Sequence, residues 1–116
     1  MKIIQVLNSI IEKKDKISNV KPNGNVYFFL FDGEFKWAIE RENNEGIYSV
    51  YFFPSDSKSI EELSNHQDLM YHIEYVKYST EELKSKEAIE TFKELYQIVV
   101  EKVFDIDKMF DKIISA

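Results

Sequence analysis

The chain has 116 residues, no cysteine and a formal net charge of −6, and 44% of its residues are hydrophobic. This length and apolar content predict one globular domain over residues 1–116, large enough to bury a core without cross-links. The lack of cysteine excludes disulfides, thiolate zinc ligands and cysteine nucleophiles. No signal-peptide pattern opens the chain, and its longest fully apolar run, VYFFLF, is far shorter than the ~20 residues of a membrane span, so we expect a cytoplasmic protein without a membrane partner.

The charge is unevenly distributed along the chain. Residues 1–24 carry five Lys against two acidic side chains, residues 25–78 carry ten acidic side chains against four basic ones, and residues 79–116 carry nine against six. A negative field repels phosphates and so argues against nucleic-acid binding. It favours a basic protein partner, although mild acidity also serves general solubility.

The first predicted element is an amphipathic helix over residues 2–14. Its apolar residues recur at i, i+3, i+4, i+7 and i+8, beginning at Ile3. The segment SNVKPNGN at 18–25 that follows is rich in turn-forming residues, and we expect a loop there.

Three strands follow, over residues 25–32, 35–41 and 47–53. Asp32-Gly33 between the first two is a strong hairpin signal. The register stays open because a one-residue slip turns every side chain to the other face. A two-residue loop places Val26, Phe28 and Leu30 on the face of Trp37, whereas a three-residue loop places Tyr27, Phe29 and Phe31 there.

Two capping boxes mark the later helices. The first, at 59–62, predicts a short helix over 60–65, and the second, at 79–82, opens a long helix. A fourth strand is predicted between them over 69–78, and a final short helix after Asp105. The order α-β-β-β-α-β-α-α predicts an α+β fold with a four-stranded, mainly antiparallel sheet and helices mostly on one face. This order is similar to that of small acidic secretion chaperones.

The acidic hairpin turn is the first candidate site. The first and third strands of a meander point the same way, so Asp32 and Glu34 should lie beside Ser55, Asp56 and Ser57. Hard oxygens suit Mg²⁺, Ca²⁺ or a partner's basic side chain. The spacing matches no calcium-binding loop, and Asp-Gly is explained by the turn itself. We therefore predict a partner-binding surface and no metal or cofactor.

A second candidate is the segment HQDLMYHIE. There His72 and Glu74 share a face of the predicted strand, which suggests a small-ligand-binding or catalytic pocket between the sheet and the helices. The chain has only three glycines, all in predicted turns, and one arginine. It therefore offers no phosphate-binding loop and few groups to stabilise an oxyanion.

The preferred hypothesis is a small, acidic, non-enzymatic protein-interaction module, such as an inhibitor, an immunity-type protein or a chaperone-like adaptor. The carboxylates would select a basic partner and large aromatic side chains would anchor it. The predicted partner-binding residues are Asp32, Glu34, Asp56, Tyr27, Trp37, Tyr48 and Tyr51. Self-association through exposed strands or the C-terminal helices is a further possibility.

Overall fold

The computed structural model describes residues 1–42, 46–55, 58–65 and 74–116. These residues form a five-stranded antiparallel sheet with helices against both of its faces. The predicted α+β class with an antiparallel sheet is thereby confirmed.

The elements follow one another along the chain as helices α1 to α5, strands β1 to β5 and one 3-10 turn. They are α1 (Lys2–Glu12), the 3-10 turn (Lys14–Lys16), β1 (Ile17–Asn23), β2 (Val26–Phe31), β3 (Phe35–Glu42), β4 (Ile47–Phe53), α2 (Ile60–Asn65), β5 (Val76–Ser79), α3 (Thr80–Leu83), α4 (Lys86–Phe104) and α5 (Ile106–Ser115). The spatial order of the strands is β1-β2-β3-β4-β5. Within the described ranges, no helix combines the length and apolarity that crossing a membrane requires.

The sheet has five strands, so the prediction of four was wrong. The additional strand, β1, occupies the segment predicted to be a loop and pairs antiparallel with β2. Its turn-forming residues lie where the strand is irregular: Asn19 has φ 52° at the point where the register shifts between Ser18 and Lys21. Pro22 is tolerated because β1 is an edge strand, where a missing N–H need not break the ladder.

The predicted element order was wrong at the second capping box as well. Ser79 starts only the single turn of α3, where its hydroxyl accepts a hydrogen bond from the Glu81 N–H. Lys84 then takes a left-handed conformation, and the long helix α4 begins after Ser85, which caps the Ala88 N–H at 3.0 Å. Of the strand predicted over 69–78, β5 forms the last part, and residues 69–73 lie outside the described ranges.

The first hairpin has the three-residue loop. Phe31 pairs with Phe35 and Phe29 with Trp37, so the loop is Asp32-Gly33-Glu34. Asp32 and Gly33 both have positive φ, which Asp and Gly adopt at low cost. Phe29 therefore faces the same side as Trp37, and its neighbour Phe28 faces the opposite side.

Each face of the sheet carries its own core. The larger core lies under α1 and α4; its sheet residues include Phe29, Trp37, Ile39 and Val50. The smaller core lies under α2 and consists of Phe28, Ala38, Tyr51, Phe53, Ile60 and Leu63. Two covered faces explain why β2 and β4 are apolar on both sides, since alternation with polar residues is expected only where one face meets water.

Candidate functional site

A shallow cleft separates the β2–β3 turn from the first turn of α2, on the face of the smaller core. Its lining residues, which we call the acidic cleft, are Asn19, Leu30, Gly33, Glu34, Lys36, Ser59, Ile60, Glu61 and Glu62. Three of these are glutamates, and all three are exposed. The cleft thus presents carboxylates from two separate elements beside the half-buried side chain of Leu30.

The start of α2 fixes the orientation of Glu62, whose carboxylate also lies 3.8 Å from the Lys58 ammonium. The Glu62 N–H donates to the Ser59 hydroxyl at 3.1 Å, and the Ser59 N–H donates back to Glu62 Oε1 at 3.2 Å. Ile60 is buried against the sheet, which leaves Glu61 exposed beside it. Carboxylates in a first helical turn are also favoured by the backbone N–H groups that point out of the helix there.

The hairpin turn also carries Asp32, the residue before the cleft residues Gly33 and Glu34. The Asp32 N–H donates to the Lys16 carbonyl at 2.9 Å, and the Lys16 ammonium lies 3.8 Å from the Asp32 carboxylate. Both side chains are about half exposed, and ion pairs of this kind contribute only ~0–1 kcal/mol. A basic group from another molecule can therefore replace Lys16 at little cost.

The structure describes two of the three acidic residues that the sequence predicted to bind a partner. Asp32 and Glu34 are exposed at the predicted turn. Asp56 and Ser57 lie outside the described residues, so their predicted proximity to the turn stays a prediction. In place of Asp56, the structure brings Glu61 to the same cleft; the sequence signal was its capping box, which we interpreted only as a helix start. Nowhere in the described ranges do three acidic or histidine side chains form a group suited to a metal ion.

The four predicted aromatic anchors lie on different faces of the sheet. Tyr27 and Tyr48 contact the ring of Tyr96 on α4, with centroids 5.6 and 5.5 Å away. Trp37 packs beside Phe52 on that same face, at 4.7 Å. Tyr51, the fourth predicted anchor, lies in the smaller core on the opposite face. The four residues therefore do not form one continuous surface, and their role in partner binding stays a prediction.

Tyr51 belongs to a polar row on the face of the smaller core that the sequence analysis did not single out. Its hydroxyl donates to the Glu40 carboxylate, and burial, followed by this hydrogen bond, raises the pKa of Tyr51. Burial also raises the pKa of Glu42, but hydrogen bonds from Lys77 at 3.1 Å and Ser49 at 2.9 Å lower it overall. The sequence pattern that could have predicted this row is the alternation of Glu40 and Glu42 in β3 and of Ser49 and Tyr51 in β4, which places all four side chains on one face. In this row the side chains of Tyr51, Ser49 and Lys77 all donate hydrogen bonds to carboxylates of β3.

On the other face, an apolar groove runs between α1 and the strands. Its volume is about 470 Å³. Its lining residues, which we call the α1 groove, are Lys2, Ile3, Val6, Ser9, Ile10, Phe31, Phe35, Trp37, Phe52 and Tyr78. Trp37 is 6% exposed, and its buried indole N–H has no hydrogen-bond acceptor among the described residues.

The predicted ligand-binding pair is not placed by the structure. Glu74 is exposed just before β5, and His72 lies outside the described residues. Of the two, the described residue Glu74 is not among those that line the α1 groove. A small-ligand-binding or catalytic pocket built from these two residues stays a prediction from the sequence.

Comparison with protein-family models, with curated proteins and with solved structures finds no match to this chain. Its function is therefore inferred from its own residues and their arrangement.

Proposed function

We propose that this chain is a non-enzymatic, cytoplasmic protein-interaction module that binds a basic protein partner at the acidic cleft. The observation that supports the proposal is the convergence of Glu34 from the hairpin turn with Glu61 and Glu62 from α2 on one open cleft. An inhibitor, an immunity-type protein or an adaptor would use such a surface.

The chemistry of the cleft fits a lysine- or arginine-bearing segment. Its carboxylates are solvent-exposed, so they act at a distance and steer a basic partner toward the cleft. The surrounding chain reinforces this field, because residues 25–78 carry ten acidic side chains against four basic ones. Leu30 in the cleft offers a short apolar contact that complements the stem of a Lys or Arg.

The proposal is tested by reversing the charge of the turn. A partner is captured from the native host with the wild-type chain, and its affinity is measured for the double variant Asp32→Lys, Glu34→Lys. The matched control is Glu90→Lys, Glu94→Lys, which changes the net charge equally on exposed positions of α4. We expect the turn variant to bind about 10-fold more weakly or worse, which is a loss of ~1.4 kcal/mol.

The salt dependence gives a second readout. Added salt should weaken the wild-type complex and the control complex in the same way, because their cleft is unchanged, and should affect the turn variant less. Both variants should keep the circular dichroism spectrum of the folded chain, since all four positions are exposed. Equal affinities for the turn variant and the control would show that binding does not use the acidic cleft.

A further inference from the structure

Helix α5 carries an apolar face that the described chain leaves open. None of its residues is buried, and its large apolar side chains include Phe110 at 57% and Ile113 at 70% exposure. We call Met109, Phe110, Ile113 and Ile114 the α5 face. An isolated helix of 10 residues is marginal in water, and a helix with one apolar stripe gains its stability from packing that stripe. The α5 face therefore requires a covering surface.

The α1 groove is the complementary feature of the same chain. It is lined mainly by apolar side chains, and Phe35 at its margin is 41% exposed. The buried indole N–H of Trp37 adds a donor that has no acceptor among the residues that the structure describes. Buried donors without an acceptor are rare in native structures and ask for an explanation. An occupant that brings apolar surface together with a polar acceptor satisfies both features.

The borders of the two surfaces include charges of opposite sign, although α5 also carries Lys108 and Lys112. Lys2 lies at the groove, within a segment of five Lys against two acidic residues. Asp107 and Asp111, four residues apart, form an exposed acidic border along one side of the α5 face. The chain therefore contains an apolar helix with an acidic border and an apolar groove with a basic end.

We propose that two copies of this chain form a symmetric dimer in which α5 of each copy occupies the α1 groove of the other. Met109, Phe110 and Ile113 enter the groove beside Phe35, and the acidic border lies toward Lys2. Because the exchange is reciprocal, a single two-fold axis closes the assembly and no open α5 face is left to extend it.

The size of this contact suits a stable dimer. An aromatic side chain buries ~150–250 Å² when it is fully covered. Of the side chains that enter the groove, Met109 and Phe110 are more than half exposed and Ile113 is 70% exposed. Two reciprocal contacts that remove these surfaces and their groove partners from water approach the ~1,200–2,000 Å² buried in specific interfaces. The acidic cleft lies on the other face of the sheet and stays open in such a dimer.

The test combines molar mass with the fluorescence of Trp37, the only tryptophan in the chain. Light scattering across a concentration series should give twice the chain mass at high concentration. Dilution to the monomer should shift the Trp37 emission to the red, because the groove then fills with water. These two readouts should follow the same concentration dependence.

Three variants identify the surfaces. Phe110→Glu and Phe35→Glu, one on each proposed surface, should each raise the dimer dissociation constant about 10-fold or more. Ile89→Glu is the matched control, because Ile89 on α4 is as exposed as Phe35 at 41%, and it should leave the constant unchanged. Circular dichroism checks folding, and Phe35→Ser replaces Phe35→Glu if the charge unfolds the chain.

Three results would overturn the proposal. The first is a wild-type chain that stays monomeric up to millimolar concentration. The second is a dimer that Phe110→Glu disrupts and Phe35→Glu does not, which would indicate pairing between two α5 helices. The third is a monomer whose Trp37 emission shifts on addition of dodecanoate, which would assign the groove to a small apolar ligand. None of these results bears on partner binding at the acidic cleft, so the two proposals fail separately.

Discussion

Replacement of Phe29 by alanine tests the register of the first hairpin. Phe29 and Phe28 are neighbours in β2, but the three-residue loop directs Phe29 into the larger core and Phe28 into the smaller one. The same substitution at the two positions therefore probes two different cores within one strand.

The structure predicts different losses in the free energy of unfolding for Phe29→Ala and Phe28→Ala. Phe29 is fully buried between the sheet and the helices α1 and α4, and removal of a buried phenylalanine side chain costs ~3–5 kcal/mol. A chain of this length is stable by roughly 6–17 kcal/mol, so Phe29→Ala should remove a large part of its stability. Phe28 lies in the smaller core under the six-residue helix α2, so its removal takes away fewer buried contacts and we expect ~3 kcal/mol or less.

The measurement is urea unfolding followed by circular dichroism. Ile89→Ala serves as the control, because the Ile89 side chain is 41% exposed and its removal should cost about 1 kcal/mol. We expect the free energy of unfolding to fall most for Phe29→Ala, less for Phe28→Ala and least for Ile89→Ala, at similar denaturant slopes. A larger loss for Phe28→Ala than for Phe29→Ala would refute this register and support the two-residue loop.

Two other substitutions test individual hydrogen bonds. Because the pKa of Tyr51 is raised in the folded chain, the Tyr51 hydroxyl loses its proton at a lower pH in the unfolded chain than in the folded one. The free energy of unfolding should therefore fall as the pH rises above ~10. Tyr51→Phe should reduce this alkaline loss when urea midpoints are compared between about pH 8 and about pH 11, and an unchanged loss would show that Tyr51 does not cause it. Thr80 Oγ1 accepts from the buried Tyr48 N–H at 3.0 Å, so Thr80→Val should cost ~1–3 kcal/mol while Thr80→Ser costs less. Equal thermal unfolding of the two Thr80 variants would contradict this role.

The sequence predicted the elements whose signal is local. The hairpin at Asp32-Gly33, helix α2 over 60–65 and the stripe of α1 are all present. Strand β1 was missed because Asn19 and Pro22 are turn-forming residues that here occupy a bulge and a sheet edge. The register was not predictable from alternation, because Phe28 and Phe29 are both buried, each in its own core.

The sequence predicted only those residues of the candidate site that are close to one another along the chain. Asp32 and Glu34 are exposed at a turn that the sequence marks clearly. Glu61 reaches the same cleft only because α2 packs against the face of Phe28, which is a tertiary fact. The α1 groove likewise depends on where α1 lies across the sheet, so its shape has no sequence signal. The burial of the Trp37 indole N–H without an acceptor among the described residues has none either.

Hydrogen–deuterium exchange of the chain alone and with its captured partner tests the central claim most directly. Partner binding at the acidic cleft should slow amide exchange at residues 32–34 and in the first turn of α2, and leave α4 unchanged. Protection confined to other surfaces, with the turn and α2 exchanging at their free rates, would contradict the proposed function.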